Sequence, residues 1–479
     1  MLLDSQTDTQ PRPSNASNDS NSGERLRGNS LSFVETIGQS IANIAPTLTP
    51  ALNISVVVAI AGLGAWLSYL IATIGLIFVA ANIGVLARRN TLAGSYFLYI
   101  GRSLGALPGM LAGWSMVSAY LFTGIAASIS AYIFLTDLFH VLGLERWLPA
   151  YAIFELGFIC LIWTCAYRDV RLSSRLGLAL EALSLTVIVV ITAIVVIKRG
   201  SILDSNQLQL QHLPMGRVTS ALTLAVFSFV GFESSTTLAR EARNPLRSIP
   251  RAVILSATIS GVFFVATAYC MILAVDDRAS LIGGSTSPFA AVTRYAGLSW
   301  AAAVVYCSAS ISSFACTLAC VNAVARMLFS MGRYQFVHRS MGKVHHRYQS
   351  PHVAVSAACV FSLTIVLIAA RAAPLDAFGY AATFGTFGFL TVYLLTCIVA
   401  PLELFRAHEL SPRGLATGIV GVVLMAFVLT ASVVTVPPYP YSLLPYIFIA
   451  YLALGGIWYG AISVNFPDAL KGIHEDLEA

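Results

Sequence analysis

Charge is what this chain has least of. Only 10% of its 479 residues are Asp, Glu, Lys or Arg, against 57% hydrophobic, and the mean hydropathy is +0.78. Soluble proteins carry roughly 25% charged residues, so a water-solvated globular chain is excluded and a polytopic membrane protein is expected. The scarcity is selective. No lysine falls in an apolar stretch, and all eight histidines (140, 212, 338, 345, 346, 352, 408 and 474) map to loops, tails or span ends. A histidine relay is therefore not expected, nor is the catalytic His, Asp or Glu cluster of a membrane-embedded acyl or glycosyl transferase. All eight cysteines lie within apolar stretches, so no disulfide framework is implied. Cys316 and Cys320 share a helix face but have no histidine or carboxylate beside them, and read as buried thiols. Neither metal nor cofactor is expected from this pattern.

A helical span needs about 20 apolar residues. Twelve such stretches occur, near 36–61, 63–87, 106–135, 149–167, 174–197, 218–239, 252–275, 299–330, 352–370, 376–400, 414–435 and 441–464. With the N-terminus inside, 21 of the 28 Lys and Arg residues face inward. The other seven (Arg146, Lys198, Arg199, Arg217, Arg278, Arg294 and Arg371) face outward. This bias places both termini in the cytoplasm of a multi-pass cytoplasmic-membrane protein. It also accounts for the net charge of +6 without nucleic-acid binding. Residues 1–31 are rich in Ser, Asn, Asp and Thr and have no apolar signal core, which suggests a disordered cytoplasmic tail. Residues 466–479 form a second polar tail, and no stretch outside the spans is long enough for another folded domain.

The spans fall into a 5 + 5 + 2 order. The first contains Ala45-Pro46-Thr47-Leu48-Thr49-Pro50, and the sixth contains Ser228-Phe229-Val230-Gly231-Phe232-Glu233. Breaks at matching positions in two halves point to an inverted-repeat transporter with a site at mid-membrane. Repeat one then runs about 32–198 and repeat two about 218–400, with two accessory spans in 401–465. Gly101, Gly105, Gly109 and Gly113 form a packing stripe that Pro108 interrupts, which predicts a bend at Pro108.

The breaks carry the expected chemistry. Pro46 and Pro50 have no N–H, so the carbonyls of Ala42 and Pro46 lose their helical donors and become cation-attracting. Beyond the break, the amides of Thr47, Leu48 and Thr49 open a half-helix that attracts anions. Poles of both signs suit a zwitterion. Gly231 permits unwinding, which frees carbonyls from Ser228 to Val230 for an amine, with Phe229 and Phe232 as a gate. Tyr120 and Phe384 (or Phe387) are expected to wall the site. Three carboxylates lie within spans: Glu155, Glu181 and Glu233. Such groups are functional by default. Glu233, at the break, is assigned to proton coupling or gating, Glu181 is a second coupling candidate and Glu155 is structural. Ser312 and Ser313, with Thr317 nearby, offer an oxygen cage in which sodium would replace the proton.

Three motifs carry a family resemblance. They are Gly94-Ser95-Tyr96-Phe97-Leu98-Tyr99 leading to Gly113-Trp114, the sixth-span break continued by Asn244-Pro245-Leu246-Arg247-Ser248-Ile249-Pro250-Arg251-Ala252, and Asn322-Ala323 through Arg326 to Met331-Gly332-Arg333. Over roughly 32–400 the chain resembles the amino acid–polyamine–organocation permeases, bacterial amino acid permease type. The resemblance implies an all-α, twelve-helix membrane protein with a 5+5 inverted-repeat, leucine-transporter-like core plus two C-terminal helices. It implies transport of amino acids or related amines by alternating access. Substrate backbone groups would meet Ala45 to Thr49 and Phe229 to Phe232. Two departures stand out. The first break is Ala-Pro-Thr-Leu-Thr-Pro, where many members have Gly and Ser. Ser184 stands where some members place a coupling lysine, which leaves Glu233 protonation, sodium or exchange. An exchanger without ion coupling is the alternative, and a sensor or channel of the same fold a further one. The partners are a small molecule and membrane lipid, and the oligomeric state stays open.

Overall fold

The computed structural model describes residues 31–89, 95–168, 170–239, 241–295, 297–434 and 439–465. Both expected tails, apart from Leu31, lie outside the described residues. In a bilayer every backbone polar group must be bonded within the protein, and the apolar runs meet this as helices. Among the described residues there are no strands. The one sheet-like pairing is an isolated bridge between Leu31 and Ala242.

In chain order the helices begin with α1 (Phe33–Ile44), α2 (Ile54–Ala61), α3 (Ala65–Arg89), α4 (Ser95–Leu104) and α5 (Ala106–Val141). Next come α6 (Tyr151–Arg168), α7 (Val170–Arg199), α8 (Ser205–Leu208), α9 (Met215–Ser220), α10 (Leu222–Phe227), α11 (Pro245–Ala274) and α12 (Pro288–Tyr295). The chain continues through α13 (Ala301–Arg333), α14 (His352–Ala369), α15 (Pro374–Arg406), α16 (Pro412–Val434) and α17 (Leu444–Asn465). Ten stretches of the described residues are long and apolar enough to cross a membrane. One of them, Phe33–Arg89, holds two expected spans joined at Gly62. The segment 218–239 is not among the ten because its α-helix stops at Phe227.

α11 starts at Pro245, seven residues before the apolar run expected from 252. Proline is pre-set for the first helical turn, so the helix continues out of the apolar zone through Arg247 and Arg251. The bend expected at Pro108 falls instead at Gly105, whose φ is +98°. Pro108 simply sits in the first turn of α5. The glycine stripe packs α4 on α5: a Cβ on Gly109 would lie 2.5 Å from the Phe97 carbonyl oxygen.

α5 is the central post, packed against α13, α15 and α4. α1 lies against α7, α11 and α13, while α3 lies against α11 and α16. α6 and α17 turn apolar side chains such as Ile153, Leu156, Ile457 and Val464 outward, as a lipid-facing surface requires. The interior thus belongs to the two interrupted segments and to the long helices that surround them.

Candidate functional site

α1 ends because Ala45 adopts the left-handed conformation (φ 48°, ψ 65°) immediately before Pro46. The Ala42 carbonyl, which Pro46 cannot serve, is not left bare: the Ala45 N–H is shared between Ile41 O at 3.2 Å and Ala42 O at 3.3 Å. The chain re-enters helix through a wide π turn, Thr49–Asn53, with Pro50 in it. The second break follows α10. Tight turns link Phe229 N–H to Val226 O (3.0 Å) and Val230 N–H to Phe227 O (3.1 Å), and a 3₁₀ turn takes over at Ser234–Leu238. Gly231 has φ +94°, and a Cβ there would sit 2.7 Å from Asn43 Cγ. Any side chain is excluded by conformation and by space alike.

The two breaks touch. Gly231 lies on Asn43, Ser234 Oγ donates to Gln39 O (3.2 Å), and Ser235 N–H donates to Ser40 Oγ (3.1 Å). Cys316 and Cys320 from α13 donate to Asn43 O (3.2 Å) and Asn43 Oδ1 (2.7 Å). Both thiols are therefore structural donors to the first break.

A small cavity of about 20 Å³ lies between the breaks, lined by Ile44, Ala45, Leu48, Ser228, Val230 and Thr123 among others. That is little more than one water, so a substrate requires the surrounding helices to part. A vestibule of about 540 Å³ lies alongside and reaches the surface at Asp376, where α15 begins. Asn53, Phe227 and Phe378 border both spaces. The Phe227 and Phe378 rings meet edge to face, 6.2 Å apart, as a thin partition.

The opposite end is shut. Leu31 N–H donates to Glu241 O (2.9 Å) and Arg243 N–H to Leu31 O (3.0 Å), so the chain before α1 straps the segment after the second break. Beneath the strap Arg326 holds Glu241 with both arms, at 2.8 and 3.2 Å, the two side chains being 3% and 2% exposed. A third Arg326 N–H reaches Asn322 O at 2.9 Å.

The intramembrane carboxylates each have a defined seat. Glu233 is fully buried: Tyr120 OH donates to Oε1 (2.8 Å) and Tyr393 OH to Oε2 (2.5 Å), tying the second break to α5 and α15. Glu181, from α7, takes both the N–H of Thr47 (3.1 Å) and its hydroxyl (3.2 Å) on Oε1. Glu155 accepts from Ser128. Ser313 pairs with Ser130 at 2.9 Å, whereas Ser312 Oγ is buried with no partner.

Of the residues singled out in the sequence, Ala45, Leu48, Ser228 and Val230 line the small cavity. Pro46, Thr47 and Thr49 belong to the same break without appearing in its wall. Phe229 packs on Phe264 (5.0 Å) and Phe232 on Tyr393 (5.3 Å), and neither lines the small cavity or the vestibule. Tyr120 is spent on Glu233, and Phe384 packs on Phe122 (4.5 Å), away from both spaces; Phe387 does border the vestibule. Sequence reasoning missed Asn43, Phe227, Phe378, Tyr393 and the Glu241–Arg326 pair. Asn43 had a signal, a polar side chain in an apolar run one turn before the proline. The others are set by contacts between segments far apart in the chain.

Comparison with known proteins agrees with this architecture. The amino acid permease family model matches residues 36–471. The branched-chain amino acid permease BcaP of Bacillus subtilis (strain 168) is 22% identical over 71% of this chain and 74% of its own. An uncharacterized transporter of Mycobacterium tuberculosis (strain ATCC 25618 / H37Rv) is 28% identical over 78% and 80%. The low-affinity putrescine importer PlaP of Escherichia coli (strain K12) is 25% identical over 64% and 68%. The match spans nearly the whole described helical assembly, both breaks included, and the chain belongs to the amino acid permease family of the APC superfamily.

Proposed function

We propose that the protein is a secondary active transporter that moves amino acids or related amines across the cytoplasmic membrane by alternating access, coupled to protons through Glu233. The observation that carries this reading is the meeting of two broken segments at a cavity between a vestibule and a sealed end. Such breaks put free peptide groups at membrane depth, where only a cavity tolerates them. The relatives named for branched-chain amino acids and for putrescine support the substrate range. In this reading twelve spans form a 5+5 inverted repeat (32–198 and 218–400) with accessory helices in 401–465. Both termini are cytoplasmic, so the vestibule faces outward and the strap closes the inner end.

Glu233 suits coupling because both carboxylate oxygens accept from tyrosines on different helices. An ionised carboxylate holds both donors strongly. A protonated carboxyl must donate through one oxygen, so one tie loosens and the second break gains freedom relative to α5 or α15. Glu181 and Ser312 form the second coupling candidate, where sodium would be held instead. The test is reconstitution with a panel of amino acids and amines under imposed proton, sodium or counter-substrate gradients. Glu233→Gln is expected to abolish proton-driven accumulation while sparing exchange. Unchanged pH-dependent uptake by that variant removes Glu233 from the mechanism, and no uptake of any compound by the intact protein removes the transporter reading.

A further inference from the structure

The first two amides of the first break's outer half are already committed. That half begins Pro46-Thr47-Leu48-Thr49-Pro50, and the two prolines contribute no amide. The Thr47 N–H is donated to Glu181 Oε1 and the Leu48 N–H to Ala45 O at 3.0 Å. Thr47 gives its hydroxyl to the same oxygen of Glu181. The protein's own carboxylate thus takes the donors of Thr47 from behind the break: Ala45 and Leu48 on either side in the chain line the cavity, while Thr47 and Glu181 do not. Its second oxygen, Oε2, is buried without a partner. An approaching carboxylate therefore finds neither the Thr47 nor the Leu48 N–H free.

The rest of the cavity is furnished for a cation. Among the described residues, the carbonyls of Ile44, Ser228 and Val230 accept no hydrogen bond: the N–H groups of Thr47, Leu48, Phe232 and Ser234, which would serve them in a helix, are donated elsewhere. All three residues line the cavity. The Phe227 and Phe378 rings present faces and edges at its mouth, and aromatic faces attract ammonium groups. Among the described residues no Lys, Arg or His lines the cavity or the vestibule, and Asp376 stands in the vestibule wall. Asn43 Nδ2 and the Thr123 hydroxyl are unpartnered neutral donors in the wall. Neutral donors without a counter-charge do not compensate a buried anion.

Building on the transporter reading, we infer that the substrate is an organic amine without an α-carboxylate, and that Glu181 is the residue that excludes carboxylated counterparts by capping Thr47. The Ile44, Ser228 and Val230 carbonyls hold the ammonium. Glu181 sets specificity from behind the break.

The test uses matched pairs that differ only in the carboxylate: 1,4-diaminobutane against ornithine, and 3-methylbutylamine against leucine. Full-length protein in proteoliposomes is expected to take up at least one amine with a half-saturation roughly tenfold or more below that of its amino acid. Uptake that favours the amino acid of each pair overturns the inference and leaves the transporter reading standing. Uptake of neither member, nor of any other compound in the wider panel, overturns both. Glu181→Ala bares the Thr47 amide, and the amine preference is expected to fall by roughly tenfold. Glu181→Gln keeps an oxygen on that amide and is expected to hold the preference within about threefold, since the cap survives without the charge. Equal preference in the Ala variant and the intact protein removes Glu181 as the determinant. Should the Ala variant not fold, the matched pairs on the intact protein and the Gln variant still decide the outcome.

Discussion

Beneath the Leu31 strap the sealed end holds one buried ion pair, and its worth is open to measurement. Arg326 commits three N–H groups, two to Glu241 and one to Asn322 O, with both charged side chains almost wholly out of solvent. Removing one partner of a buried pair strands the other charge, at a cost of about 3–5 kcal/mol. In a two-state carrier that cost falls only on the closed end, because an opened end hydrates both groups. Glu241→Ala is therefore expected to shift the equilibrium toward the open end by roughly 100- to 1,000-fold or more. Ala319 provides the reporter: it is buried between α1 and α13, and its carbonyl takes Gln39 Nε2 at 2.9 Å. In a background with the eight native cysteines replaced, Ala319→Cys labelling by a membrane-impermeant maleimide from that side follows the open population. The expected rise tracks the shift until the open state dominates. Replacing both partners by methionine refills the volume without charge, and labelling is expected to return to within about threefold of the parent. Labelling that is unchanged in Glu241→Ala, or as fast in the double variant as in the single one, refutes the assignment of the pair as a lock.

Two further outcomes follow from the cavity wall. Gly231→Ala places a Cβ 2.7 Å from Asn43 Cγ at φ +94°, and conformational strain alone costs about 1–3 kcal/mol. A lower melting temperature and loss of transport are expected, and adding Asn43→Ala should restore only the part due to the clash; a Gly231→Ala protein as stable and active as the parent contradicts the geometry. Phe378→Ala removes one leaf of the partition with Phe227, so substrate should leave toward the vestibule faster, by roughly tenfold if one aromatic–ammonium contact is lost with it. An unchanged dissociation rate from detergent-solubilised protein would show that the partition does not retain the substrate.

Much of the fold was legible because proline, glycine and hydropathy speak directly about backbone. Pro46 and Gly231 announced both interruptions, and the span edges follow where apolar runs end. α11 escaped that rule since Asn244-Pro245 starts a helix whatever the polarity of Arg247 and Arg251. The wall of the site was less legible. Phe229 and Phe232 flank the glycine in sequence, but the turns aim them at Phe264 and Tyr393, and Phe227, one turn earlier, faces the cavity instead. The half-helix amide of Leu48 turns back on Ala45 O, and that of Thr47 looked free because its partner is not local. Glu181 lies 134 residues from Thr47, and no periodicity in either segment reports that contact.

Two of the three intramembrane carboxylates, Glu181 and Glu233, fasten one joint from opposite sides. Asn43 lies against Gly231, and Gln39 and Ser40 bond Ser234 and Ser235, so the two interruptions are joined directly. Glu181 ties that unit to α7 through Thr47, and Glu233 ties it to α5 and α15 through Tyr120 and Tyr393. A joint held equally firmly on both sides has no reason to rock. The fastenings are chemically unequal: Glu181 is held by an amide and a hydroxyl from one residue, whereas each oxygen of Glu233 serves a different helix. A single proton on Glu233 therefore weakens one contact of a bridge between helices, while the same proton on Glu181 can reside on its unpartnered Oε2 and leave the Thr47 contacts in place. In the proposed cycle α7 would then keep the joint and α5 with α15 release it, with Glu233 as the proton-sensitive side and Glu181 as the fixed one.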